Sequence, residues 1–194
     1  MTSPSNLLTL SSIVLLVGRQ LYWFVTEWIS HTHKKKTVPM TAAMYGKRVV
    51  SGALGILLLA QLLGLHLFPF DAPIWVEVVG FMCVVLSVEI SVMARREISD
   101  NWSHAAEYQI KKNHELVTSG IYGWIRHPIY LAVMLSVIGV ELQTKSLLVV
   151  LLTSLTFLVL YEQGKKEEQL LSKRFGKEYG DYVRRTSMFI PHII

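Results

Sequence analysis

The stretch SGIYGWIRHPIYLA, Ser119 to Ala132, sets Arg126, His127 and Tyr130 around a proline just before an apolar run. Pro128 suits the first turn of a helix, where its missing amide hydrogen costs nothing. His127 and Tyr130, three apart, then share a face. Such a group can bind a polar ligand, or Arg126 can reach to lipid phosphate while His127 satisfies the helix start. Further along, KKEEQLLSKRFGKEYGDYV carries Glu167 and Glu168. Adjacent positions point to different faces of a helix, so at most one of these carboxylates is expected to face a shared pocket fully. The other reading of the glutamates is a solvated face on which they pair with nearby lysines and arginines. A third stretch, NHELVTSGIYGW, places His114 in a polar segment with Gly120 and Gly123. These glycines let backbone approach a ligand closely, or they make a turn. The chain has no GxGxxG fingerprint, so a dinucleotide-binding fold is not supported.

The elements that must position these residues are membrane helices. The chain has 194 residues, 52% hydrophobic and only 17% charged, outside the range of soluble domains. The apolar runs predict an all-α, polytopic bundle forming a single domain over residues 1–194, with about five transmembrane helices. Residues 1–94 hold three spans: about Leu7 to Ile29, Val49 to Phe68 and Ile74 to Ala94. The turn PFDAP separates the second from the third. Residues 95–194 hold a polar loop, two shorter spans at about Ile129 to Leu142 and Leu147 to Tyr161, and a helical tail. The brief linker QTKS makes the last two spans an antiparallel hairpin, which brings Glu167 and Glu168 near Arg126 and His127.

Seventeen of the nineteen lysines and arginines follow the first, third and fifth spans. The positive-inside rule puts those segments, the carboxyl terminus and the candidate site in the cytoplasm, with the amino terminus outside. The first span lacks a basic flank and a small-residue cleavage pattern, and reads as a retained helix. The net charge of +5 is then explained by cationic edges beside lipid phosphate, without nucleic acid. Cys83 is the one cysteine, which excludes an internal disulfide and a cysteine-rich metal cluster. His31 and His33 beside a lysine run lack a third ligand, so no metal site is expected. Arg19 and Glu77 are placed to snorkel, Glu89 either pairs with a basic group of the cytoplasmic loop or lines a path by which a lipid enters between helices, and Glu141 lies at the far end of the fourth span.

The paired motifs HELVTSGIYGWIRHPIYLA and EEQLLSKRFGKEYGDYV resemble the isoprenylcysteine carboxyl methyltransferase family and its relatives among integral-membrane methyltransferases. The resemblance covers roughly Asn101 to Pro191. It implies S-adenosylmethionine as cofactor, in a cytoplasm-facing pocket made from the loop, the hairpin and the final helical segment. Carried over by position, it implies cofactor contacts from His114, Leu116, Val117, Gly120, Tyr122, His127 and Glu167 or Glu168. It places Arg126, Tyr130 and Glu168 at the reaction centre. Ala132 stands where several members carry glycine after the tyrosine.

Methyl transfer from a sulfonium demands alignment and exclusion of water. A carboxylate acceptor needs no base, and Arg126 can hold it by a bidentate contact. An amine or thiol acceptor would instead call on Glu168 or His127 as base. The implied partner is a lipid or prenylated acceptor within membrane lipid, most directly an isoprenylcysteine. Phospholipid N-methylation or thiol S-methylation, an NADPH-dependent sterol-type reductase and a non-enzymatic membrane scaffold remain open.

Overall fold

The computed structural model describes residues 3–32, 42–98 and 116–191. Its helices are α1 (Pro4–Thr32), α2 (Ala42–Leu62), α3 (Ile74–Ile98), α4 (Pro128–Gln143), α5 (Leu148–Phe175) and α6 (Lys177–Arg185). A 3-10 turn, Gly120–Gly123, precedes α4. The fold is therefore all-α. Three helical segments, Pro4–Ile29, Ile74–Ile98 and Leu148–Phe175, are long and apolar enough to cross a membrane. Arg48–Leu62 and Pro128–Gln143 are apolar but shorter. At 1.5 Å per residue α4 is only about 24 Å long, less than the hydrocarbon thickness.

Apolar on all sides, α4 is the helix the others surround, packing most extensively on α3 and then on α5. Its Val137 and Val140 join Leu58 and Leu62 of α2 and Val84 of α3 in one core cluster. Nearer the α4 amino terminus, Tyr130 and Met134 join Met188 and Phe189 of the tail in a second. The α3–α4 seam is close because glycine faces glycine. A Cβ on Gly80 would lie 2.6 Å from the Gly139 carbonyl oxygen, and one on Gly139 2.7 Å from that of Gly80. Small residues of this kind let helix backbones approach in a membrane, where van der Waals packing drives association. On the outside, Val14, Leu21 and Phe24 of α1 and Val150, Leu155 and Leu158 of α5 are exposed, as lipid-facing residues would be.

Helix α2 ends at Leu62, short of the expected Phe68. Gly64 takes φ +108°, its amide donates to the Gln61 carbonyl at 3.0 Å, and the Leu65 amide reaches the Ala60 carbonyl at 2.9 Å. This pair of bonds is the Schellman stop, and hydrophobicity does not reveal it. The freed chain then pairs with the α4–α5 link: Phe70 N–H donates to Lys145 O at 2.9 Å and Leu147 N–H to Phe68 O at 3.0 Å.

The ionisable groups expected to snorkel turn inward instead. Arg19 Nη1 donates to Ser136 Oγ of α4 at 2.7 Å, and Glu77 accepts from Lys145 at 2.8 Å. In each case a partner within the protein, Ser136 on α4 or Lys145 on the α4–α5 link, competes successfully with the headgroup region. Glu89 is exposed, and most of the loop expected to supply its basic partner lies outside the described residues. Helix α5 continues unbroken past Tyr161, where its apolar run ends, so Glu167 and Glu168 ride on the membrane-crossing helix itself.

Replacing Gly80 by alanine drives a Cβ into backbone that no side-chain rotation can clear. We expect a loss of about 1–3 kcal/mol, read as a lower unfolding temperature in detergent. Gly55, where an added Cβ would meet nothing within 4 Å, is the control: its alanine variant should unfold at the wild-type temperature or above.

Candidate active site

Backbone pairing builds the site before any side chain acts. The tail runs beside the segment entering α4, with a parallel bridge between Ile125 and Ser187. Arg126 N–H donates to Ser187 O at 2.9 Å, His127 N–H to Met188 O at 3.0 Å, and Ser187 N–H to Trp124 O at 3.1 Å. His127 is the residue before the helix and Pro128 begins it. Its carbonyl accepts the amides of Tyr130 at 3.1 Å and Leu131 at 3.2 Å. The Arg-His dipeptide is therefore fixed on both sides, by the tail and by the first turn of α4.

Side chains from α5 and from the start of α4 then meet. Arg126 Nε donates to Glu168 Oε1 at 2.7 Å, and His127 Nε2 lies 3.3 Å from the same oxygen. The other ring nitrogen, Nδ1, is 3.6 Å from Glu167 Oε2. Tyr130 donates to Glu167 Oε1 at 2.5 Å, and its ring stacks on His127 with centroids 5.1 Å apart. Both glutamates thus converge on one histidine, contrary to the expectation that only one could. Adjacent residues are about 100° apart on a helix, but the imidazole presents a nitrogen toward each carboxylate, and the long glutamate side chains close the remaining angle.

Arg126 does not reach out to lipid phosphate. Besides Glu168, its Nη1 donates to the Thr186 carbonyl and, at 3.4 Å, to that of Val183. The fork expected to grip a substrate carboxylate is thus turned toward the protein. Among the described residues, only Nη2 takes no hydrogen bond. Glu168 likewise spends only Oε1, leaving Oε2 without a hydrogen-bond partner among those residues.

Two neighbours on α5, which sequence reasoning missed, complete the cluster. Gln163 donates to the Tyr130 hydroxyl at 2.9 Å and so directs its proton onto Glu167. At Gly164 a Cβ would sit 2.5 Å from Met188 Cε and 3.4 Å from His127 Nε2, so glycine is what lets α5 lie against the histidine. Glycine inside a helix costs about 1 kcal/mol relative to alanine, which its packing role here offsets. A signal existed: Gln163 and Gly164 stand four residues before Glu167 and Glu168, on the same faces.

The turn residues sit to one side. Gly120 has φ +54°, and the group that uses the space beside it is the Glu97 carboxylate of α3, which a Cβ there would overlap. Ser119 Oγ donates to Glu97 at 2.7 Å. The turn borders a cleft of about 410 Å³ lined by Met93, Arg96, Glu97, Gly120, Ile121 and Trp124. Tyr122 is buried, and its carbonyl accepts the Tyr182 hydroxyl at 2.7 Å. Burial pushes the Tyr122 phenol up and that of Tyr182 up to about 12, so both are neutral at physiological pH and neither is a base. Leu116 and Val117 are partly buried at the start of this segment. His114 lies outside the described residues.

The fold and this cluster define a class: helical integral membrane proteins with a polar site at one end of a hairpin. The chain belongs to the phospholipid methyltransferase family, whose model matches residues 75–178. Similar proteins include the protein-S-isoprenylcysteine O-methyltransferase of Rattus norvegicus, 28% identical over 120 residues, 61% of this chain and 42% of that one. The probable protein-S-isoprenylcysteine O-methyltransferase of Oryza sativa subsp. indica is 28% identical over 167 residues, 83% of this chain and 85% of that one. The cobalt-zinc-cadmium resistance protein CzcN of Cupriavidus metallidurans is 37% identical over 84 residues, 43% of this chain and 38% of that one. A solved structure of the eukaryotic intramembrane Ras methyltransferase ICMT (isoprenylcysteine carboxyl methyltransferase) has a similar fold. Its TM-score is 0.68 at 22% identity, covering 100% of this chain and 70% of that chain. The chain spans about two fifths of the length of the rat relative, 42%.

The Arg126–Glu168 pair is largely buried, with side-chain exposures of 11% and 19%. Removing one partner leaves the other desolvated, so Arg126→Ala and Glu168→Ala should each cost about 3 kcal/mol, the low end for a broken buried pair. The double variant should lose much less than the sum of the two, measured by chemical unfolding in detergent. Additive losses would show that the two do not act as a pair.

Proposed function

We propose that the protein is an S-adenosylmethionine-dependent methyltransferase acting on an amphiphile at the cytoplasmic membrane face, with the carboxylate of an isoprenylcysteine-like molecule as acceptor. The observation that carries this reading is the convergence of Arg126 and His127 with Glu167 and Glu168 at the end of the α4–α5 hairpin, in a chain of this family. The activities for which the rat and rice relatives are named agree with it. The basic segments that follow the first, third and fifth apolar helices support a cytoplasmic site.

The residues present fit the cofactor's chemistry. Glu168 Oε2 is an unspent acceptor for a ribose diol or an ammonium, and Glu167 lies beside it. A buried hydroxyl, that of Tyr179, has no hydrogen-bond partner among the described residues. We assign cofactor contacts to His114, Leu116, Val117, Gly120, Tyr122, His127, Glu167 and Glu168. When bound, S-adenosylmethionine supplies a methyl group on a positively charged sulfur, and its transfer to a carboxylate removes no proton.

The chain's part is therefore alignment and dryness. Arg126 is held through Nε and Nη1, and offers Nη2 to one oxygen of the acceptor, a single contact in place of the expected fork. Glu168 keeps that guanidinium in place. Tyr130, locked between Gln163 and Glu167, forms the wall on the α4 side, with its hydroxyl proton committed to the glutamate. Phe189, 1% exposed, closes the site behind His127 with ring centroids 6.1 Å apart and excludes water.

The test is calorimetric titration of the detergent-purified protein with S-adenosylhomocysteine and, separately, with NADPH. We expect saturable binding of the first only, abolished by Glu167→Gln with Glu168→Gln. A prenylated cysteine with a free carboxylate should then accept a methyl group and its carboxamide should not. Binding of NADPH without S-adenosylhomocysteine would sink the methyltransferase reading, and methylation of the carboxamide would move the acceptor atom off the carboxylate.

A further inference from the structure

Helix α6 turns two tyrosines inward. Tyr179 and Tyr182 are each 3% exposed, and their rings meet edge to face with centroids 6.0 Å apart. Three residues apart, they occupy one face of the helix. Their hydroxyls nevertheless differ. Tyr182 donates to the Tyr122 carbonyl at 2.7 Å, whereas the Tyr179 hydroxyl is buried with no hydrogen-bond partner among the described residues. Buried hydroxyls are nearly always satisfied, because one left without a partner forfeits its bonds to water with no return. An orphan of this kind therefore points to a group that completes it.

Its surroundings say what kind of group. Glu168, Arg126 and Glu167 are among the charges that act on the Tyr179 phenol. Burial pushes that phenol up, and the net result is a hydroxyl that keeps its proton and can donate it. One further polar atom of the site, Glu168 Oε2, is unspent among the described residues and can accept a hydrogen bond. The outer side of α6 is strongly polar, with Lys177, Glu178, Arg184 and Arg185 on it. A ligand that meets both the Tyr179 hydroxyl and Glu168 Oε2 carries an acceptor for the one and a donor for the other. That description fits a nucleoside–amino-acid conjugate and not the apolar part of an amphiphile.

We propose that the Tyr179 hydroxyl is a binding contact for the methyl donor, donating to a polar atom of that water-soluble molecule. This inference rests on the methyltransferase reading above. Tyr182, by contrast, is a structural tyrosine that fastens α6 to the turn at Tyr122.

The experiment compares the full chain in detergent with Tyr179→Phe and Tyr182→Phe, by calorimetric titration with S-adenosylhomocysteine and by thermal unfolding without ligand. Tyr179→Phe should weaken S-adenosylhomocysteine by about fivefold to tenfold, the worth of one buried hydrogen bond. Its ligand-free unfolding temperature should equal or exceed that of wild type, because an unsatisfied hydroxyl has been removed. Tyr182→Phe should unfold at a lower temperature, since the Tyr122 carbonyl loses its donor. Unchanged S-adenosylhomocysteine affinity in Tyr179→Phe, or a ligand-free destabilisation as large as that of Tyr182→Phe, would overturn the assignment while leaving the methyltransferase reading intact. Wild-type protein that fails to bind S-adenosylhomocysteine would overturn both.

Discussion

A guanidinium and two carboxylates cannot sit at the edge of a hydrocarbon layer unless their polar atoms are used by one another, and this constraint organises the whole structure. The Arg126–Glu168 contact at 2.7 Å joins the entry of α4 to a point on α5 well beyond its apolar run. Such a contact requires α5 to remain one rigid helix from Leu148 to Phe175, so that a residue far past the membrane segment has a fixed position. It requires the helix to come close, which Gly164 permits. It also requires the arginine to be presented at a fixed angle, which the tail's backbone bonds to Arg126 and His127 provide. Desolvating the pair is costly, and the Coulombic attraction repays that cost only when geometry is good. The surrounding elements supply that geometry.

How much of this is legible follows from which forces write a signal into sequence. Apolar runs, the QTKS linker and the basic segments between spans are composition and length, and they locate the helices and the hairpin. Pro128 marks the start of α4, where it stands. The end of α2 does not follow from hydrophobicity, because a left-handed glycine stops a helix whatever the polarity of the residues beyond it. Snorkelling is the expectation for Arg19 and Glu77 because their partners, Ser136 and Lys145, lie on elements distant in sequence. Hydrophobicity also leaves the number of full crossings open, since a helix enclosed by others, like α4, is apolar whether or not it spans the hydrocarbon.

Within the site the side chains are legible and their supports are not. Arg126, His127, Tyr130 and the two glutamates stand out as polar breaks in apolar surroundings. Thr186 and Ser187 act through backbone carbonyls, which every residue possesses, so no residue type announces them. Gln163 and Gly164 are visible as helix-register neighbours of the glutamates but carry little weight until the structure shows what lies opposite. Gly120 illustrates the reverse case. Its freedom reads as room for a close approach, and in the structure the Glu97 carboxylate takes that room.

The distribution of satisfied and unsatisfied groups gives the site a direction. On the α4 side the polar atoms are committed: Gln163 to Tyr130, and Tyr130 to Glu167. On the α6 side Glu168 Oε2 and the Tyr179 hydroxyl are uncommitted among the described residues. A wall whose hydrogen bonds are closed presents an apolar surface to whatever lies against it, so it suits the hydrocarbon-bearing reactant. A wall with open donors and acceptors suits the soluble, charged one. If two reactants of opposite polarity must meet in line, a site closed toward the membrane helices and open toward the aqueous helix sorts them without a separate gate. The Arg-His dipeptide lies at the boundary between the two walls, held by the backbone bonds of the tail, and in the proposed reaction that boundary is where the two reactants meet.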